Sequence, residues 1–230
     1  MPIYQLNDSH EFPNPEFANN DGLLAVGGDL SPERIIKAYS LGIFPWYGDD
    51  QPILWWSPNP RMVLFPHEFK RNKSLRKVVF SDKFKVTFDN NFSEVIKSCA
   101  SVSRPGQEGE TWITDDMITA YTALHDLGIA HSVEVHYRDK IVGGLYGLSL
   151  GRCFFGESMF HKKNDASKVA LWHLVDRLTD WKFDLIDVQQ ETNHLKSMGA
   201  NSIKRKEFLH LLSNSLQKDS IIGKWEGTVI

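Results

Sequence analysis

Three polar side chains stand out in runs that are otherwise apolar: Glu157, Asp187 and Gln189. Glu157 and Ser158 follow directly on Cys153-Phe154-Phe155-Gly156. A carboxylate and a hydroxyl thus sit at the end of an aromatic strand, a common place for a site. A strand that merely surfaces at Glu157 would read the same way. Asp187 and Gln189 are two apart in the short apolar strand Leu185–Gln189, which puts them on one face. Glu157 joins them if the two strands are neighbours. For covalent catalysis the chain offers no convincing Ser/His/Asp or Cys/His set. His131 and Ser132 are adjacent, and adjacent strand residues point to opposite faces.

Positioning such groups requires a sheet. Residues 141–160 read as two strands turning at Ser149-Leu150-Gly151, and 132–137 precedes them through the turn Arg138-Asp139-Lys140, giving a three-stranded meander. Upstream, 62–65 and 85–88 read as strands, 69–78 as a short basic helix, and 92–100 as a helix capped by Asn90 or Asn91. After a polar loop over 101–110, Thr114 caps a helix with Asp115 and Asp116 in its first turn, where the macrodipole favours acids. Met117, Ile118, Tyr121 and Leu124 recur at helical spacing there, and Gly128 ends it. Helices follow at about 166–181, 194–198 and 206–216, with the strand Leu185–Gln189 between the first two. Residues 1–61 form a compact entry unit. Ser31-Pro32 opens a helix that stops at Gly42, and Pro45, Pro58 and Pro60 confine sheet pairing to edges. Of Trp46, Trp55 and Trp56, two are expected as core and one as a surface on which a base could stack.

The 230 residues carry a formal net charge of −3, with a pI near 6.3, so no global nucleic-acid signature exists. Cys99 and Cys153 are far apart without metal-ligand spacing; two buried thiols in a reducing compartment fit best. Neither a leader pattern nor a membrane-length apolar run is evident, and a soluble cytoplasmic monomer is expected. One local excess matters. Between Lys70 and Lys85 seven basic residues face the single acid Asp82. Such a run is usually a solvated face, but its one sign also suits backbone phosphates.

The order of elements is α+β with a central mixed sheet, and over about 62–216 it resembles the Gcn5-related N-acyltransferase (GNAT) fold. The loop that holds coenzyme A pyrophosphate in that fold is missing: before Ala166 the chain reads His161-Lys162-Lys163-Asn164-Asp165. This speaks against an acyl-CoA donor.

A closer resemblance runs through 22–32 (GLLAVGGDLSP), 42–46 (GIFPW), 55–61 (WWSPNPR), 111–114 (TWIT), 130–134 (AHSVE), 156–160 (GESMF) and 185–189 (LIDVQ). By these blocks the chain is identified as resembling the leucyl/phenylalanyl-tRNA–protein transferases. The resemblance implies a small N-terminal α+β domain (1–61) and a GNAT-like catalytic domain (62–230). It implies an enzyme, without metal or cofactor, that moves leucine, phenylalanine or methionine from aminoacyl-tRNA to a protein bearing N-terminal arginine or lysine, marking it for degradation. It makes Asp187, Gln189 and Glu157 the catalytic and acceptor-binding positions. Leu145, Phe154 and Ile186, ordinary core by residue type alone, would line the amino acid slot, with Gly156 and Ser158 beside it. Trp46 and Trp112 would hold the terminal adenosine. Lys70, Arg71, Lys73, Arg76 and Lys77 would meet acceptor-stem phosphates, and Lys162 and Lys163 the terminal ones.

The implied reaction is aminolysis of an activated ester, for which positioning can supply most of the acceleration. An amide oxygen is too weakly basic to hold a proton, so Gln189 is expected to orient the amine, while Asp187 and Glu157 offer negative charge to a basic acceptor. An acyl-CoA-dependent acyltransferase and a non-catalytic adaptor for basic termini are the rival readings.

Overall fold

The computed structural model describes residues 3–102, 111–226 and 228–229. Most of the polar loop read over 101–110, with Pro105, Gly106 and Gly109, lies outside them, as do Gly227 and Ile230 of the tail. The first 60 residues build a four-stranded sheet. Its elements are β1 (Tyr4–Leu6), β2 (Leu23–Gly27), α1 (Pro32–Ser40), β3 (Phe44–Pro45) and β4 (Leu54–Trp56), ordered β1-β2-β4-β3. Pro45 sits on the outer strand β3, where an absent N–H leaves no inner ladder bond unmade. Ser31 precedes α1 as expected but makes no side-chain cap; Asp29 Oδ1 instead accepts from the Ser31 N–H at 2.8 Å.

An eight-stranded mixed sheet follows. Its strands are β5 (Arg61–Leu64), β6 (Lys85–Phe88), β7 (Ala130–Tyr137), β8 (Lys140–Leu150), β9 (Cys153–His161), β10 (Leu185–Gln189), β11 (Asn201–Ile203) and β12 (Thr228–Val229), in the order β11-β5-β10-β9-β8-β7-β6-β12. Neither β11 nor β12 is apparent from the sequence. The helices are α2 (Lys73–Val79), α3 (Phe92–Ala100), α4 (Asp115–Asp126), α5 (Ala166–Asp180), α6 (Asn193–Ser197) and α7 (Arg205–Ser215). The basic helix begins at Lys73, not at 69, because Asn72 caps it, its side chain accepting from the Leu75 N–H at 2.8 Å. Thr114 caps α4 through the Met117 N–H. No helix among the described residues is long and apolar enough to cross a membrane.

Alternation along β9 divides the core in two. Phe154 packs with Val169, Ala170 and Leu174 of α5, whereas Phe155 packs on the opposite face with Tyr39 of α1, Val95 of α3 and Tyr121 of α4. Each fully buried side chain of this size contributes about 1.5–3 kcal/mol.

Two irregularities interrupt this pattern. Across β8 and β9, Tyr146 pairs with Ser158 and Gly147 with Gly156, leaving Glu157 as the extra residue of a bulge. The slip explains why Phe155 and Phe160, five apart, share one core cluster. Across β10 and β5, Asp187 pairs with Val63 and Gln189 with Met62, so Val188 is extra, and Gln189 takes φ 61°. Meanwhile β10 pairs in parallel with β9 only from Leu185/Cys153 to Asp187/Phe155. Beyond that point the two strands are unpaired, with a bulge on each.

Candidate active site

At this unpaired end lies a cavity of about 1020 Å³. One wall is apolar: Leu145 of β8, Phe154 of β9 and Ile186 of β10, completed by Leu171 and Leu174 of α5. Trp46 and Trp112 form an aromatic part of the lining, and Gly156, Glu157, Ser158 and Gln189 a polar one. The lining draws on both core clusters, so the cavity passes through the sheet where β9 and β10 separate. Gly156 lines that passage. A Cβ built on it meets nothing nearer than the Asp187 carbonyl oxygen at 3.7 Å.

Of the three tryptophans, expected as two in the core and one at a surface, only Trp55 is core; Trp46 and Trp56 are both half-buried. Trp55 is fully buried, its Nε1 donating to the Gly27 carbonyl at 2.9 Å. Trp56 stands edge-on to Trp46 at 5.6 Å and donates from Nε1 to the Trp46 carbonyl at 2.7 Å. Of the three, Trp46 is the one that lines the cavity.

Glu157 is the centre of the polar part. Its Oε1 accepts from Tyr39 Oη at 2.8 Å and from Gln189 Nε2 at 2.7 Å. Its Oε2 lies 3.3 Å from Tyr121 Oη, and the two tyrosine oxygens are 2.5 Å apart. Burial pushes the carboxyl up to about 7; the three donors oppose the shift and the Asp187 charge adds to it. Burial likewise raises Tyr39 and Tyr121, with the Glu157 charge as the next cause.

Asp187 departs from the sequence expectation. It is fully buried, does not line the cavity, and is matched by Arg61: Nε donates to Oδ1 at 2.8 Å and Nη2 to Oδ2 at 2.6 Å. The guanidinium is held between the rings of Phe44 and Phe208, at 4.8 and 4.6 Å. Asp187 Oδ1 also accepts from the Gln189 N–H at 3.0 Å, bracing the positive-φ residue that presents its amide to Glu157. Its carboxylate is thus paired with Arg61, and its hydrogen-bonded link to the cavity lining is through Gln189.

The basic residues lie elsewhere. Lys70, Arg71, Lys73, Arg76 and Lys77 are all exposed on or before α2. Arg71 is engaged with Asp176 at 2.5 Å and rests over Phe69 and Trp172. Lys162 Nζ lies 3.4 Å from Ser98 Oγ, and Lys163 Nζ lies 4.2 Å above the Tyr137 ring; neither lines the cavity.

No nucleophilic set forms at His131 and Ser132. His131 Nδ1 is 2.8 Å from Asp89, but Ser132 Oγ donates to Glu134 at 2.5 Å. Among the described residues no group of three or more His, Cys, Asp or Glu side chains is placed to hold a metal ion.

Arg61, Tyr39 and Tyr121 are the site residues that sequence reasoning missed. Arg61 ends a block of the resemblance, and Tyr121 falls on a helix's apolar face, yet nothing local marks either as a partner of Asp187 or Glu157.

Comparison with known proteins bears on this geometry. A family model described as leucyl/phenylalanyl-tRNA protein transferase matches residues 63–213, and one for the N-terminal domain of those proteins matches 28–59. A leucyl/phenylalanyl-tRNA–protein transferase of Syntrophobacter fumaroxidans is 55% identical over 227 residues, 99% of this chain and 97% of the relative. One of Thermodesulfovibrio yellowstonii is 54% identical, covering 98% and 92%. Among solved structures, a GCN5-related N-acetyltransferase-like protein of Streptococcus suis is remotely similar (TM-score 0.38, 11% identity, 71% of this chain and 60% of that one). On the family models and the two relatives, the chain belongs to the leucyl/phenylalanyl-tRNA protein transferase family, a family of aminoacyltransferases.

Proposed function

We propose that this protein transfers leucine, phenylalanine or methionine from aminoacyl-tRNA to a protein with arginine or lysine at its N-terminus, marking it for degradation. The residues before 62 serve as a small N-terminal domain and the rest as the catalytic one, acting as a monomer in the cytoplasm. The observation that carries this reading is one cavity with an apolar wall and a buried carboxylate–amide pair. The apolar wall suits an aminoacyl side chain, and discrimination between neighbours there is weak, about 1–3 kcal/mol per methylene. Trp46 and Trp112 suit the terminal adenosine, stacking being worth about 1–3 kcal/mol per base.

Chemistry at the polar end follows from the hydrogen bonds. Gln189 commits Nε2 to Glu157, so its carbonyl oxygen is the acceptor it offers an attacking amine. Asp187 acts by fixing Gln189, not by lending free charge. The amine adds to the ester carbonyl, the bond to the ribose oxygen breaks, and that oxygen leaves with a proton from nitrogen. Two substrates held in line need no covalent enzyme intermediate.

The test incubates labelled leucyl-tRNA with an arginine-started peptide, wild type against Glu157→Ala and Gln189→Ala. Transfer by wild type and severe loss in both folded variants is the expected result. No transfer from leucyl- or phenylalanyl-tRNA, with labelled acetyl-CoA used instead, would replace the reading by a coenzyme A acyltransferase. Peptide binding without consumption of charged tRNA would replace it by an adaptor.

A further inference from the structure

Glu157, Tyr39 and Tyr121 make three mutual oxygen contacts: Tyr39 to Tyr121 at 2.5 Å, Tyr39 to Oε1 at 2.8 Å and Tyr121 to Oε2 at 3.3 Å. The two hydroxyls carry two protons. With Glu157 ionised, one of the three contacts is a pair of oxygens with no hydrogen between them. The two protons fill the two shorter contacts, Tyr121 donating to Tyr39 and Tyr39 to Oε1, so the open contact is Tyr121 to Oε2 at 3.3 Å. A third proton has its place there. With Oε2 protonated, Oε2–H donates to Tyr121, Tyr121 donates to Tyr39, and Tyr39 donates to Oε1, which also accepts from Gln189 Nε2 at 2.7 Å. All donors then have acceptors, and the ring closes.

We propose that this ring holds one exchangeable proton, that Glu157 is the group that takes it from the acceptor's ammonium, and that Tyr39 and Tyr121 are positioning residues that complete the ring. The inference rests on the transfer reaction proposed above and adds the step that readies the nucleophile. The terminal ammonium gives one proton to the Glu157 carboxylate, leaving a neutral amine and a carboxylic acid. The amine's lone pair forms the bond to the ester carbon, the carbon–oxygen bond to the ribose breaks, and the second nitrogen proton goes to the departing oxygen. Glu157 then releases its proton to water.

Access agrees with the assignment. Glu157 lines the cavity, whereas both tyrosines are fully buried behind it. The titratable groups around the ring are few. Tyr39 comes from α1 and Tyr121 from α4. Asp187 of β10 acts on Glu157 and is matched by Arg61 of β5, and Tyr146 of β8 acts on Tyr121. A carboxyl pushed up to about 7 has the basicity to accept a proton at neutral pH. The small N-terminal unit therefore contributes directly to the reaction centre, through the Tyr39 hydroxyl.

Infrared difference spectra of the free enzyme test the ring without depending on turnover. A protonated carboxyl C=O stretch is expected in wild type at pH 6, absent in Glu157→Gln, and titrating out near pH 7. In Tyr39→Phe the carboxylate loses a donor, so the same band should titrate about one unit higher. The acid limb of kcat/KM for transfer should rise with it while the melting temperature stays near wild type. A band that titrates identically in wild type and Tyr39→Phe, or no Glu157 band at any pH above 5, overturns the ring. Absence of transfer by wild type, with a band that still shifts in Tyr39→Phe, would instead count against the reaction proposed above.

Discussion

Arg61 and Asp187, 126 residues apart, form a fully buried two-point ion pair, and Asp187 uses the same carboxylate to hold the Gln189 backbone. The pair thereby ties the start of β5 to the bulge of β10. Truncating Asp187 to Ala strands the guanidinium in the core, which costs about 3–5 kcal/mol, and frees the strained Gln189. Asp187→Asn keeps an oxygen for the Gln189 N–H while discarding the charge. Transfer measured in a single turnover on folded protein should thus be better preserved in Asp187→Asn than in Asp187→Ala. Equal inactivity of the two would make the Asp187 charge, and not its bracing of Gln189, the working feature.

Glu157 ought to cost stability when ionised. Its carboxyl is pushed up to about 7 in the folded state from an ordinary 4.5. A raised pKa contributes stability that is complete below pH 4.5 and is lost as pH climbs through 7. The whole shift corresponds to about 3 kcal/mol. Glu157→Gln should therefore melt close to wild type at pH 4.5 and clearly above it at pH 8. Calorimetry at the two pH values decides the matter, and parallel curves would contradict the carboxyl's displacement.

Much of this arrangement was legible from local pattern. The helix over 92–100, the Thr114 cap, the meander and the strand Leu185–Gln189 all follow from spacing and turn residues acting within a few positions. The features that turn the strand ends into a site do not. A bulge at Glu157 inserts one residue into an unremarkable aromatic run, and no letter announces the slip. Tyr39 and Glu157 are 118 residues apart, and their contact depends on how α1 lies against the large sheet. Equally, Asp187 and Gln189 do act together, but through a backbone hydrogen bond and a bulge, not through the simple two-residue alternation that first drew attention to them.

Gly156 offers a way to separate the cavity from the fold. Its backbone is not in the left-handed region, and a Cβ there has only ordinary contacts at 3.7 and 4.0 Å. Gly156→Ala should fold normally. Gly156→Val extends into the passage between β9 and β10 and should abolish transfer with little change in melting temperature. The contrast is Gly147→Val, where a Cβ would meet the Phe155 carbonyl oxygen at 2.1 Å; that variant should fail to fold. Full activity in a folded Gly156→Val would mean that the substrate lies elsewhere.

The exposed basic stretch makes a separable prediction about RNA. Arg71 is spent on Asp176, whereas Arg76 and Lys77 on α2 are exposed with no acid within ion-pair distance among the described residues. If these two meet phosphates of the acceptor stem, each contact releases counterions, and log affinity falls linearly with log salt. Arg76→Glu with Lys77→Glu should weaken binding of charged tRNA and flatten the salt slope by about two units. Both residues are far from the amino acid wall in sequence and outside the cavity lining, so preference between leucine and phenylalanine should be unchanged. Filter binding over a salt series reads the slope directly. An unaltered slope in the double variant would return α2 to an ordinary solvated face, and would leave the phosphate contacts to be sought nearer Lys162 and Lys163.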